Sequence, residues 1–192
     1  MRHLTALAPV FILVALAAGC AASPASRYYT LSAASGPAAP SSNLSIAVGP
    51  VIVPAVVDRP QIVVNVGANQ VRLDEFNRWA APLQNSIARV VAENLVAMLG
   101  TPRVTLSSAD ADYRAAIEVQ SFQSAPGEAA MLDAVWTVRR TKDGKAETGR
   151  TTVRETAQEK GYDALAAAHS RALARLSQDI ADGVRTLARS GQ

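Results

Sequence analysis

The sequence predicts a single α+β domain, with two long amphipathic helices packed on one face of a mostly antiparallel β-sheet. Two segments repeat apolar residues every three or four positions, whereas others alternate apolar and polar residues and are joined by short turn sequences. The chain has 192 residues, of which 49% are hydrophobic and 18% charged, which suffices for one packed core. Hairpins imply antiparallel pairing of the strands. With several hairpins and only two helices, we expect both helices to cover one face of the sheet.

Residues 1–19 have the layout of a signal peptide. Arg2 and His3 precede an apolar stretch, and small residues stand immediately before Cys20. The apolar stretch covers about 15 residues, fewer than the roughly 20 that a membrane-spanning helix needs. We therefore expect a cleaved leader, residues 20–27 as a modified cysteine with a flexible spacer, and a folded domain over residues 28–190.

The segment Leu16-Ala-Ala-Gly-Cys20 resembles a lipobox, in which the peptidase cleaves before the cysteine and the thiol carries acyl groups such as palmitate. Ala17 stands where a large aliphatic residue is usual, so an ordinary secretory signal with an incidental cysteine is the alternative. Ala21 follows the cysteine, a pattern similar to that of lipoproteins sorted to the outer membrane of Gram-negative bacteria. The implied location is the periplasmic leaflet of that membrane, where the acyl chains hold the domain.

Strands are predicted from aromatic and β-branched runs. Before the first helix they are residues 28–31, one or two strands within 44–57, and a hairpin of residues 62–66 and 70–73 around Gly67-Ala-Asn69. After it come a short strand at 104–106, a strand at 113–122, and a hairpin of 131–140 and 147–156 around Lys142-Asp-Gly-Lys145. The two helices are predicted from apolar residues that recur at helical spacing, from Leu83 to Leu99 and from Tyr162 to Leu187.

Composition excludes several functions. A single cysteine allows no intramolecular disulfide and no cysteine-based metal site. The net charge of +3 comes from scattered basic residues, which is a poor match to nucleic-acid binding. No phosphate-binding loop, clustered metal ligands or nucleophile with its base is evident, so we expect no cofactor, no metal and no enzymatic activity.

Two motifs behind the cysteine carry a family resemblance. They are Asp58-Arg-Pro-Gln-Ile62 and Arg78-Trp-Ala-Ala-Pro-Leu83, preceded by Tyr28-Tyr-Thr-Leu31. Together they resemble the ABC-type transport auxiliary lipoproteins, also called the PqiC family, from about Cys20 to the end of the second helix. Relatives often have an acidic residue where Ala81 stands.

The resemblance implies a noncatalytic docking subunit of a system that moves lipids between the two bacterial membranes. Its implied partners are an MCE-domain protein, PqiB-like or MlaD-like, and the membrane transporter of that system. Docking onto a symmetric tube would suit a homo-oligomeric ring. One alternative is a lipoprotein that regulates a cell-wall synthesis enzyme, although its long tether contrasts with the seven-residue spacer here. Another is a periplasmic hydrolase.

The candidate docking residues each have a structural interpretation as well. Arg78 and Trp79 could contact a partner, or Trp79 could pack in the core beside the first helix. Asp58, Arg59 and Pro60 could form a recognition loop or a locked turn. His169 lies on the apolar stripe of the second helix, which favours a core position over a catalytic one. The polar side of that helix could lie on a membrane, but its mixed charges favour a solvated face.

Overall fold

Two β-sheets and two helices make up the computed structural model, which describes residues 24–36, 39–107, 110–159 and 161–190. The predicted signal peptide and Cys20 lie outside the described residues. The elements in chain order are β1 (Arg27–Tyr29), β2 (Ile46–Ile52), β3 (Gln61–Gly67), β4 (Gln70–Trp79), α1 (Leu83–Leu99), β5 (Val104–Thr105), β6 (Tyr113–Ala125), β7 (Ala129–Arg140), β8 (Ala146–Thr156) and α2 (Tyr162–Arg189).

The strands form a three-stranded sheet of order β1-β4-β3 and a five-stranded sheet of order β5-β2-β6-β7-β8. Within the described ranges, the pairs β1–β4, β2–β5 and β2–β6 are parallel, and β3–β4, β6–β7 and β7–β8 are antiparallel. The expectation of one mostly antiparallel sheet was therefore wrong. Turn sequences predict the pairing of consecutive strands, whereas every parallel pair here joins strands that are not consecutive in the chain.

The local elements of the α+β prediction are confirmed. The turn at Ala68 and Asn69 joins β3 to β4, and the turn before Ala146 joins β7 to β8. Helix α1 ends at Gly100, whose φ of 62° is left-handed and therefore suits glycine. The predicted strands at 44–57 prove to be the single strand β2, whose register shifts between Val48 and Val51.

Both helices lie on the five-stranded sheet. Helix α2 contacts β7 and β8, helix α1 contacts β2, and the two helices contact each other, so they share one face. A buried polar contact joins them, because the Asn94 side-chain amide donates to Ser177 Oγ at 3.1 Å and Asn94 Oδ1 accepts from the Ala34 amide at 2.8 Å. Among the described residues, no helix has the length and apolar character needed to cross a membrane.

Trp136 fixes how α2 packs against the five-stranded sheet. Its register partner on β8 is Gly149, and Gly183 of α2 faces the same indole. A Cβ atom at Gly149 would lie 2.3 Å from Cζ2 of the indole, and one at Gly183 would lie 2.8 Å from Cζ3. The indole Nε1 donates to Thr151 Oγ1 at 3.2 Å. The two glycines therefore leave the space that the indole occupies between strand and helix.

Candidate functional site

The two motifs singled out in the sequence lie together at one end of the three-stranded sheet. The amide of Trp79 donates to the carbonyl of Pro60 at 2.7 Å. The next residue, Gln61, is the register partner of Arg78. Residues 58–60 and the end of β4 consequently form one structural unit, although about 20 residues separate them in the chain.

The segment that contains Asp58, Arg59 and Pro60 has an ordered backbone. The amides of Val57 and Asp58 both donate to the Pro54 carbonyl, at 3.0 and 3.2 Å, and the Arg59 amide donates to the Val57 carbonyl at 2.8 Å. Asp58 and Pro60 are nonetheless exposed. Arg59 is half-buried, and its Nε has no hydrogen-bond partner within the described part of the chain. The turn therefore holds a carboxylate and a proline ring at the surface.

Arg78 and Trp79 point to different environments. Arg78 is partly exposed, and its Nε donates to the Glu75 carbonyl at 2.9 Å. Trp79 is only 5% exposed, and its ring meets those of Phe122 and His169 edge to face. Of the pair, the guanidinium is the group within reach of a partner, whereas the indole packs in the core.

A bulge in β4 positions Arg78, and sequence reasoning missed the residues that build it. Asp74 accepts hydrogen bonds from the amides of Phe76 and Asn77, at 3.1 and 2.9 Å, and from the Tyr162 hydroxyl at 2.5 Å. Burial raises the pKa of Asp74, but these hydrogen bonds outweigh it and hold the pKa below its usual value. Burial and the hydrogen bond to Asp74 raise the pKa of Tyr162.

The signal for this bulge was in the sequence. An aspartate followed at short range by amides that its side chain can cap is typical of a local turn. In β4 such an aspartate interrupts a strand, and the register shifts between Gln61 and Ile62 of the neighbouring strand. Helix α2 supplies Tyr162 to the same carboxylate, a long-range contact that the pattern could not predict.

His169 is completely buried. Its ring stacks on Phe122 with centroids 3.9 Å apart, and its Nε2 lies 2.8 Å from Ser124 Oγ. Its Nδ1 has no hydrogen-bond partner among the residues described. A serine nucleophile needs access to substrate, and its histidine needs an orienting group. Because Ser124 is 2% exposed and no described residue orients Nδ1, we interpret this contact as structural.

Burial also lowers the pKa of His169 to about 3, so the ring is neutral in the folded protein. The unfolded chain binds a proton at this histidine near pH 6.5. Stability is therefore lost as the pH falls below about 6.5, and we expect a loss of about 2 kcal/mol between pH 7 and pH 5. Urea unfolding at a series of pH values measures this loss.

The variant His169→Gln isolates the contribution of the imidazole. In this variant the loss of stability between pH 7 and pH 5 should be small. Carboxylates such as Asp143, whose pKa is about 2, affect stability only at lower pH. An unchanged pH dependence in the variant would contradict the assignment. If the variant folds poorly, NMR titration of the His169 ring in the parent protein gives the same answer, since a pKa near 6.5 would also contradict it.

Metal binding has no support in the described ranges, where no three His, Cys, Asp or Glu side chains come together. Two cavities in the described part of the chain are open grooves. One of about 410 Å³ runs between the segment after β1 and the start of α2, and another of about 580 Å³ lies beside the turn between β7 and β8. These grooves do not contain Asp58, Arg59, Pro60, Arg78 or Trp79.

Comparison with known sequences settles the family. The profile of the family described as ABC-type transport auxiliary lipoprotein component matches residues 29–181. The chain belongs to this family. Residues 58–60, 78 and 79 all lie within the matched region, which includes every helix and strand given above except the first residues of β1 and the end of α2. No curated protein is significantly similar to this auxiliary lipoprotein in sequence.

Two solved structures have the same fold. An uncharacterized protein is 21% identical, with a TM-score of 0.72 over 84% of this chain and 99% of its own. A Xanthomonas campestris protein of the DUF330 family is 20% identical, with a TM-score of 0.69 over 86% of this chain and 100% of its own. At these identities the likeness concerns the fold alone.

Proposed function

We propose that this auxiliary lipoprotein is a noncatalytic docking subunit of an MCE-type system that transports lipids between the bacterial inner and outer membranes. The family match over residues 29–181 carries the proposal, because it makes the chain a component of a transport system. In this proposal the leader 1–19 is removed and acylated Cys20 anchors the domain in the periplasmic leaflet of the outer membrane. An MCE-domain protein and its membrane transporter are the proposed partners.

The ordered turn at Asp58 and the neighbouring Arg78 form the proposed docking site. A partner benefits from side chains that are held in place before binding, since less conformational entropy is lost. The hydrogen bonds to the Pro54 carbonyl hold the backbone that carries Asp58, and the Glu75 carbonyl orients Arg78. Trp79 supports this site from the core, because its backbone amide donates a hydrogen bond to the Pro60 carbonyl.

In-cell photocrosslinking tests the proposed partner. A benzophenone amino acid replaces Asp58 or Arg78 in turn, at native expression, and the trapped proteins are identified by mass spectrometry. We expect an MCE-domain protein from both positions. A matched control replaces Lys142, which is exposed on the turn between β7 and β8. Capture of no MCE-domain protein from either site would contradict the proposal, and capture of a cell-wall synthesis enzyme would favour the regulator instead.

Charge reversal tests the proposed docking residues. Arg78→Glu should lower the amount of MCE-domain protein that copurifies by about tenfold, which corresponds to about 1.4 kcal/mol of binding free energy. Lys142→Glu makes the same charge change on another surface and should leave copurification unchanged. Equal losses for the two variants would mean that net charge, not this site, governs the association.

A further inference from the structure

The exposed apolar side chains of this protein concentrate on its three-stranded sheet. Nine large hydrophobic residues are exposed in the described ranges, and five of them belong to β1, β3 or β4. We call these five the hairpin patch: Tyr28, Val66, Val71, Leu73 and Phe76, with exposures between 38% and 63%. Exposed apolar side chains that gather in one region of a protein surface indicate a contact with another apolar surface.

The β3–β4 hairpin stands out from the rest of the protein. Residues 66–73 are all exposed, on both strands and in the turn. Val71 and Leu73 are two residues apart in β4, and their register partners Asn65 and Val63 are two residues apart in β3. The side chains of Val71 and Leu73 therefore lie on one face of the hairpin. Strand β1 pairs only with residues 77–79 of β4, so no described strand borders the outer edge of residues 70–76.

The amino-terminal segment leads directly to this patch. Pro24, Ala25 and Arg27 line a groove of about 270 Å³ together with Phe76 and Asn77. Cys20 precedes Pro24 by four residues, and so many residues span at most about 14 Å even when fully extended. If Cys20 carries acyl chains, the bilayer surface therefore lies within a short distance of Phe76.

We propose that the hairpin patch contacts the phospholipid leaflet into which the acyl chains of Cys20 insert. This inference rests on the proposed lipidation of Cys20. The chemistry of the patch fits the interface between water and the lipid bilayer, where tyrosine and phenylalanine place apolar rings beside the acyl chains. The exposed Arg27 and Arg72 are long enough to pair with lipid phosphates. The short tether and the patch together give the domain one orientation on the membrane, in which the proposed docking residue Arg78, the register partner of Tyr28, lies at the membrane side.

That orientation directs the opposite end of the five-stranded sheet into the periplasm. The Asn65 side chain accepts from the amide of Ser124, near the end of β6, so this end of the long strand adjoins the hairpin. The other end of β6 lies beside the turn that contains Lys142, where Tyr113 pairs with Arg140. We therefore expect Lys142 to lie far from the lipid when the patch is in contact with it.

Fluorescent labelling of the acylated, full mature protein tests this orientation. The protein is purified from membranes and reconstituted in vesicles of phosphatidylethanolamine and phosphatidylglycerol. Leu73→Cys or Phe76→Cys supplies a labelling site for an environment-sensitive dye, because the thiol of acylated Cys20 is blocked. Lys142→Cys and Thr148→Cys are the matched controls, since both positions are exposed. Circular dichroism verifies that each variant is folded.

We expect the dye at residues 73 and 76 to shift its emission to the blue and to be quenched by lipids with brominated acyl chains. The dye at residues 142 and 148 should do neither. Vesicle-bound protein whose dye stays in water at residues 73 and 76 would overturn the inference. A blue shift without lipid, with no quenching by brominated lipid, would mean that a second copy or another protein covers the patch and would also overturn it.

The test separates this inference from the proposed lipidation on which it rests. Mass spectrometry of the same preparation reports whether Cys20 carries acyl chains. Protein that lacks them and does not float with vesicles contradicts the lipidation, and the orientation with it. Protein that is acylated and floats, but keeps residues 73 and 76 in water, contradicts the orientation alone.

Discussion

Gly149→Ala should destabilise the folded protein by about 3 kcal/mol, because the added methyl group collides with the indole of Trp136. The new Cβ atom would lie 2.3 Å from Cζ2 and 2.7 Å from Cε2 of that ring. The indole has little room to move, since Trp136 is 7% exposed and its Nε1 donates a hydrogen bond to Thr151 Oγ1. Urea unfolding measures this loss of stability, from the midpoint of the transition and from the slope of the unfolding free energy against urea concentration.

Gly183→Ala probes the other side of the same indole. Alanine favours a helix over glycine by about 1 kcal/mol, so an alanine in α2 would normally stabilise it. Here its Cβ would lie 2.8 Å from Cζ3 of Trp136, and we expect a net loss of about 1 to 2 kcal/mol. A gain in stability would show that the indole does not lie against the helix.

Two further variants complete this test. Gly36→Ala is the matched control, because nothing lies within 4 Å of its added Cβ, and its stability should stay within about 0.5 kcal/mol of the parent. In a Trp136→Phe background, Gly149→Ala should cost less than it does alone, since the smaller ring leaves space. Full additivity of the two changes would contradict the proposed collision.

If Cys20 carries the proposed acyl anchor, its removal should release the protein from membranes almost completely. Each buried methylene contributes about 0.8 kcal/mol to membrane association, and two or more chains are needed for stable anchoring. The test variant carries Cys20→Ser behind an unrelated cleavable secretory leader, so that no uncleaved leader acts as an anchor. We expect it in the soluble periplasmic fraction, as fractionation and immunoblotting would show.

A conservative change next to the cysteine provides the control. Ala21→Ser keeps Cys20 and should leave the protein in the outer-membrane fraction. Ala21→Asp should keep the anchor but hold the protein at the inner membrane, because aspartate at this position resembles the inner-membrane retention pattern. A Cys20→Ser protein that still sediments with membranes would show that contacts other than acyl chains hold it.

The sequence predicts the local elements of this fold well, for a physical reason. Helices α1 and α2 bury residues at helical spacing. The turn around residues 67–69 contains a glycine and an asparagine, and the turn around residues 142–145 contains an Asp-Gly pair. These signals come from neighbours in the chain. They do not show which distant strand pairs with β1 or β2, and the parallel pairs β1–β4 and β2–β6 were missed for that reason.

The candidate site divides in the same way. The motifs at residues 58–60 and 78–79 could be singled out by their resemblance to a family, but their contact through Pro60 and Trp79 depends on the pairing of β3 with β4. The roles of Gly149 and Gly183 were invisible in the sequence, because a glycine gives no sign of the indole that fills its place. Docking of a partner stays a proposal for the five residues singled out in the sequence, which are Asp58, Arg59, Pro60, Arg78 and Trp79.

Mass spectrometry of the amino-terminal peptide of the protein, isolated from its native membrane, tests the central claim most directly. We predict a mature chain that begins at Cys20 and carries the mass of a diacylglyceryl group on that residue. An intact leader, or a processed chain whose Cys20 carries no lipid, would contradict the account of this protein as a membrane-anchored auxiliary subunit.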